Sequence, residues 1–258
     1  MRTSRNPVFN KVNNLSQDAD ANVRAGEGGQ VLIENATYVG VGLKILYFLV
    51  ISIVSAFAGL FLFSIYPELF VVILIASLFT GFISAILAMS QFKLSLVFGT
   101  LYCIGEGMFL GLLSAIAEAA MPGILISVVA ATLSVVLVSG LLFVTKLIKV
   151  TSKFYRFLMT MGIGFIITVL LINILSWVGL IDGSNIFLNI GISAISVLIA
   201  SFVLISDLEQ AYQLVNNGGP KACEWMVAFG ISYTVLWIYI ELLPAAAAVT
   251  AARTAAAA

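Results

Sequence analysis

Apolar runs about 20 residues long alternate with short polar breaks, a spacing that fits membrane-crossing α-helices and not the two-residue alternation of barrel strands. The pattern predicts seven spans, at Leu43 to Tyr66, Leu69 to Met89, Leu94 to Ala119, Ile124 to Ile148, Phe157 to Leu180, Ile186 to Ser206 and Trp225 to Leu243. Each break has a physical cause. Pro67-Glu68 stops the first span, Gln91 to Lys93 separates the second from the third, and Pro122-Gly123 follows the third. The turn clusters Asp182-Gly183-Ser184-Asn185 and Asn216-Asn217-Gly218-Gly219-Pro220 precede the sixth and seventh. Lipid offers the backbone no hydrogen-bond partner, so each run must close its own bonds as a helix. Tight connections make neighbours antiparallel. The expectation is an all-α integral membrane protein: one seven-helix bundle over residues 42–244, a polar tail over 1–41 and an alanine-rich tail over 245–258.

Composition agrees, with 62% hydrophobic and 9% charged residues, against about 25% charged in soluble domains. Twelve basic and twelve acidic residues leave no net charge to draw in nucleic acid. Their placement says more than their sum. Arg2, Arg5, Lys11, Arg24, Lys44, Lys93, Lys146, Lys149, Lys153, Arg156 and Lys221 fall on one side of the bundle and only Arg253 on the other, which predicts a cytosolic amino terminus. If the fourth helix continues past the membrane, Lys146, Lys149, Lys153 and Arg156 share one face, suited to setting topology or meeting anionic headgroups. The triplets Asn14-Leu15-Ser16 and Asn35-Ala36-Thr37 read as chance glycosylation matches on a cytosolic tail. Cys103 and Cys223 form neither a disulfide framework nor a metal cluster. Histidine is absent, so any proton response near neutrality falls to carboxylates.

Acids inside the spans are the candidate chemistry, because a mid-bilayer carboxylate is costly and tends to face a bundle interior. Glu106 is the deepest, in GTLYCIGEGMFLG, where the Gly107-x-x-x-Gly111 spacing admits a neighbouring helix. It reads as a cation or proton ligand, or else as a structural hydrogen-bonding acid. Asp207 and Glu209 lie where the sixth span leaves the membrane, about 200° apart on a helix, so one faces inward; Asp207, near Ser201, Ser206 and Gln210, is the expected one. In the seventh span Thr234, Trp237 and Glu241 form one stripe. The stripe suits a polar path, although Trp237 and Tyr239 also suit an interfacial anchor. There is no nucleophile with a base, no metal-spaced cluster and no phosphate-cradling loop, so an enzyme and a bound cofactor are not expected.

The blocks MRTSRNPVF, EGMFLGLLS followed by PGI, SDLEQ, GGP and EWMVAFGISYTVLWIYIELL resemble the Bax inhibitor-1 family in its bacterial YccA-like branch. The resemblance implies a bundle whose last helix is surrounded by the other six. It also implies a pH-sensitive calcium leak tied to two aspartates that face each other from the sixth and seventh helices. In some members it implies a regulatory link to cell survival or to a membrane protease. Asp207 matches the first aspartate, and the second falls at Thr234, which brings a hydroxyl in place of a carboxylate. An arginine near the end of the second helix, present in some members, has Lys93 as its nearest counterpart and candidate charge partner.

The expected function is a passive cation pathway, for calcium, in a bacterial plasma membrane, modulated by pH through buried carboxylates. Asp207 and Glu106 would be its calcium ligands, and Thr234, Glu241 and Glu209 would line or gate it. The alternative is a non-conducting regulator that binds another membrane protein or protease through its helix faces and amino-terminal tail.

Overall fold

The computed structural model describes residues 34–90, 92–182 and 185–257. Expectations for the chain before Glu34, for Gln91 and for Gly183-Ser184 lie outside them. Seven helices are long and apolar enough to cross a membrane, and the described residues contain no β-strand. They are α1 (Tyr38–Ile65), α2 (Phe70–Ser90), α3 (Ser95–Ala120), α4 (Ile124–Val144), α5 (Ser152–Trp177), α6 (Ile186–Asn216) and α7 (Glu224–Ala257).

Several ends differ from the hydropathy reading, each for a local reason. α1 starts at Tyr38 because Thr37 caps it, accepting the Gly40 N–H at 3.0 Å. After α3, Gly123 turns the chain with φ 90°, a conformation glycine adopts without strain. Glu118 then accepts the N–H groups of Gly123 at 2.6 Å and Leu125 at 3.0 Å and satisfies the start of α4. α4 stops at Val144 and Lys146 takes φ 54°, so the continuous basic face expected from Lys146 to Arg156 does not form. Lys146 and Lys149 sit in the connection, while Lys153 and Arg156 open α5. α6 does not end near Ser206. It carries Asp207 and Glu209 in its interior and runs on to Asn216, held by the buried side chains Leu204, Ala211 and Leu214. α7 passes through Pro244, which has no N–H and so removes the α-helical donor to the Ile240 carbonyl.

α7 is the central helix, packed against α1, α2, α3, α4 and α6, while α5 lies mainly on α6. Leu158 is the one buried residue of α5. Between α1 and α2, α3 is drawn in by glycines. A Cβ on Gly105 would lie 2.8 Å from the Ser77 carbonyl of α2, and one on Gly111 would lie 2.8 Å from Ala56 Cα of α1. A Cβ on Gly107 would strike the Ser52 carbonyl of α1. Lipid tails are as apolar as the side chains, so such close backbone approach, rather than exclusion of water, holds membrane helices together. Further along α3, Gly99 leaves room for the rings of Phe48 and Phe229. These belong to an aromatic cluster in which Phe48 and Phe229 lie 5.8 Å apart, Tyr102 and Phe229 5.3 Å, and Tyr102 and Tyr233 5.4 Å. The cluster locks α7 to α1 and α3 beside Thr234.

Candidate functional site: a facing pair on α6 and α7

α6 and α7 bring Asp207 and Thr234 together. Thr234 is 1% exposed, and its Oγ1 lies 2.6 Å from Asp207 Oδ2 and 3.1 Å from the Gly230 carbonyl. Gln210, one turn on, sends its Nε2 toward the other carboxylate oxygen at 3.4 Å. A threonine hydroxyl has one hydrogen and two lone pairs, so this geometry accommodates either form of the acid. If Asp207 is ionised, Thr234 donates to it. If Asp207 is protonated, the acid donates to Thr234 Oγ1 and the threonine hydrogen turns to Gly230, the ordinary back-bond of a helical threonine. The residue facing Asp207 is therefore a hydroxyl that can donate to the acid or accept from it without carrying charge.

The other candidate acids have separate neighbours. Glu209 accepts from Gln213 Nε2 at 2.7 Å on its own helix. Glu241 accepts from Trp237 Nε1 at 3.2 Å, so the indole steadies the acid within the α7 stripe. Glu106 lies in the α2–α3 contact, where its Oε2 would be 3.1 Å from a Cβ at Gly81. It is one turn from Tyr102, whose ring stacks toward Tyr233, the residue before Thr234. Lys93 sits in the α2–α3 turn, exposed, with its ammonium 5.9 Å from the Phe92 ring centroid, and makes no ion pair with Asp207 among the described residues.

Three polar features escaped sequence reasoning. Ser196 on α6 is fully buried and its hydroxyl has no hydrogen-bond partner among the described residues. It is three turns from Asp207, roughly 16 Å along the same face. A buried serine in an apolar run is common enough that only its spacing from Asp207 could have marked it. Ser114 of α3 shares a hydrogen with Tyr239 of α7 at 2.7 Å, which gives the Tyr239 hydroxyl a partner inside the bundle. Glu224, at the start of α7, is 0% exposed and paired with Lys44 of α1. It stood in a break between spans, where hydropathy expects a solvated acid.

Among the described residues no three His, Cys, Asp or Glu side chains gather as a metal cluster. Asp207 with Thr234, the Glu241 stripe and the Glu106 wedge are instead spread around α7, one polar group or two at a time.

The family described as Bax inhibitor 1 like matches residues 6–249. No curated protein and no solved structure matches the chain. With seven apolar helices long enough to cross a membrane and a match over nearly its whole length, the chain belongs to the Bax inhibitor 1 like family and is a multi-pass membrane protein.

Proposed function

We propose that the protein is a passive calcium pathway of the bacterial inner membrane, in the YccA-like branch of its family, with its amino terminus in the cytosol. The observation that carries this reading is the Asp207–Thr234 contact between α6 and the central helix. In the protonated form the pair is neutral and closed on itself through Gly230. Ionised, Asp207 presents a carboxylate and Thr234 a hydroxyl, the hard oxygen ligands calcium takes. Ser196 further along α6 and Glu241 on α7 extend the polar positions beyond the pair, and Glu106 supplies an acid in the α2–α3 contact. Spread single ligands suit passage, because an ion must be bound well enough to enter and weakly enough to leave.

The two substitutions that test it are nearly isosteric and keep hydrogen-bonding capacity. In proteoliposomes carrying a calcium indicator, Asp207→Asn should lower flux by about tenfold or more and flatten its pH dependence, as expected when a charged ligand is removed from a pore. Glu106→Gln should lower flux and keep the pH response. Flux equal to wild type in both variants would remove the pathway and leave the non-conducting regulator as the better reading.

A further inference from the structure

At the end of the bundle where α1 and α7 begin, a short stretch of chain is bonded to everything around it. Glu224 Oε1 accepts the Thr37 N–H at 2.7 Å, and its Oε2 pairs with Lys44 Nζ, only 13% exposed. The same ammonium lies 5.0 Å from the Trp225 ring centroid. A Cβ on Gly40 would sit 2.5 Å from both carboxylate oxygens, so any larger residue there displaces the Glu224 carboxylate. Beside this buried pair, the Ala36 N–H donates to the Gly219 carbonyl and the Lys221 N–H to the Glu34 carbonyl, each at 2.8 Å. Asn35 forms an antiparallel bridge with Pro220. Asn216 Nδ2 donates to the Tyr38 hydroxyl, and an exposed Glu34–Lys221 ion pair closes the edge. The stretch before α1 thus holds the α6–α7 connection and the first residue of α7, and the start of α1 holds the last turn of α6.

A buried carboxylate is tolerated only while its cation and hydrogen-bond donors are all present, so this contact forms and breaks as a unit. α7 then carries any displacement of Glu224 as a stiff rod over ten residues, roughly 15 Å, to Thr234. We propose that Glu34–Thr37, anchored on Glu224, is a latch that holds α7 in the register at which Thr234 meets Asp207, and that release of this segment separates the two. The latch does not depend on what the Asp207–Thr234 pair conducts; only its effect on flux rests on the calcium reading.

Glycine substitutions supply a matched test, because Gly40 and Gly42 lie two residues apart at the start of α1, and a Cβ at Gly42 meets nothing within 4 Å among the described residues. Hydrogen exchange on the full chain in lipid nanodiscs should be about tenfold faster in Gly40→Ala and in Glu224→Gln, for amides at 34–40 and 219–228 together, as one locally opening unit. α2 and α3 should be unchanged, and Gly42→Ala should match wild type. The infrared carboxyl band of Asp207, identified by its loss in Asp207→Asn, should shift in Gly40→Ala and not in Gly42→Ala. Exchange as slow as wild type in both latch variants overturns the proposal, as does faster exchange confined to 34–40 or an Asp207 band that ignores the latch. Should either variant fail to fold, Thr37→Val, which keeps the backbone donor and removes the hydroxyl that caps α1 and reaches Glu224 Oε1 at 3.5 Å, must show the same paired loosening.

Discussion

Thr234 has one hydrogen and two oxygens within reach of it, Asp207 Oδ2 at 2.6 Å and the Gly230 carbonyl at 3.1 Å. Thr234→Val keeps the shape and deletes the hydroxyl, leaving Asp207 only the 3.4 Å contact with Gln210. Thermal unfolding in detergent should show a loss of about 1–3 kcal/mol, the cost of an unsatisfied buried polar group, whereas Thr234→Ser should stay near wild type. Thr234→Asp places a second carboxylate opposite Asp207, and the pH profile of flux should then acquire a second step, since close acids release their protons as a coupled pair. At the latch, the Lys221 ammonium bonded to Glu34 holds that carboxyl below the usual carboxylate range. A lowered folded-state value means the ion pair supports the latch above the ordinary range and loses that support as pH falls through the lowered value. Exchange at 34–37 should therefore rise in acid, modestly for so exposed a pair, and the rise should be absent in Glu34→Gln.

Among elements, α3 is the most demanding because its glycines face two helices. Gly107→Ala and Gly111→Ala push a methyl into the α1 backbone at Ser52 and Ala56 and should cost roughly 1–3 kcal/mol each, the usual penalty of overpacking. Gly140→Ala in α4 and Gly162→Ala in α5 meet nothing within 4 Å and should be neutral or stabilising by up to about 1 kcal/mol from helix propensity. The spacing of Gly107 and Gly111 marked this close approach in advance, and runs of apolar residues marked all seven helices. Two ends were misread because hydropathy averages over a window. The stretch after Asp207 is polar on one face, yet Ala211 and Leu214 are buried on the other and extend α6. Lys146 to Lys149 kept a helical charge spacing that a φ of 54° at Lys146 interrupts. The facing of Asp207 and Thr234 was legible only through family resemblance. The partners of Glu224, Lys44 and Thr37, lie 180 and 187 positions away in the chain, beyond any local pattern. Lys44→Met should therefore be among the most damaging single changes in α1, by about 3–5 kcal/mol, because it strands a buried carboxylate. Adding Glu224→Gln should recover part of that loss, a non-additivity that thermal unfolding of the double variant would reveal.

In the molecule as a whole, α7 joins the latch to the Asp207–Thr234 pair. Its first residue, Glu224, is anchored to α1 and Thr37, and its interior presents Thr234 to Asp207 on α6. The aromatic cluster of Phe48, Tyr102, Phe229 and Tyr233 lies between them and fixes the helix against α1 and α3. α5, by contrast, packs mainly on α6 and leaves most of its surface to lipid. The arrangement is a helix anchored at its first residue, with the Asp207–Thr234 hydrogen bond part-way along it. The account rests on that contact being where calcium passes. The most direct measurement is calcium flux into proteoliposomes across neutral and mildly acidic pH for wild type and Asp207→Asn. The prediction is a wild-type flux that falls as protons neutralise Asp207 and an Asp207→Asn flux that is low and level; equal, equally pH-dependent flux in the two proteins would contradict it.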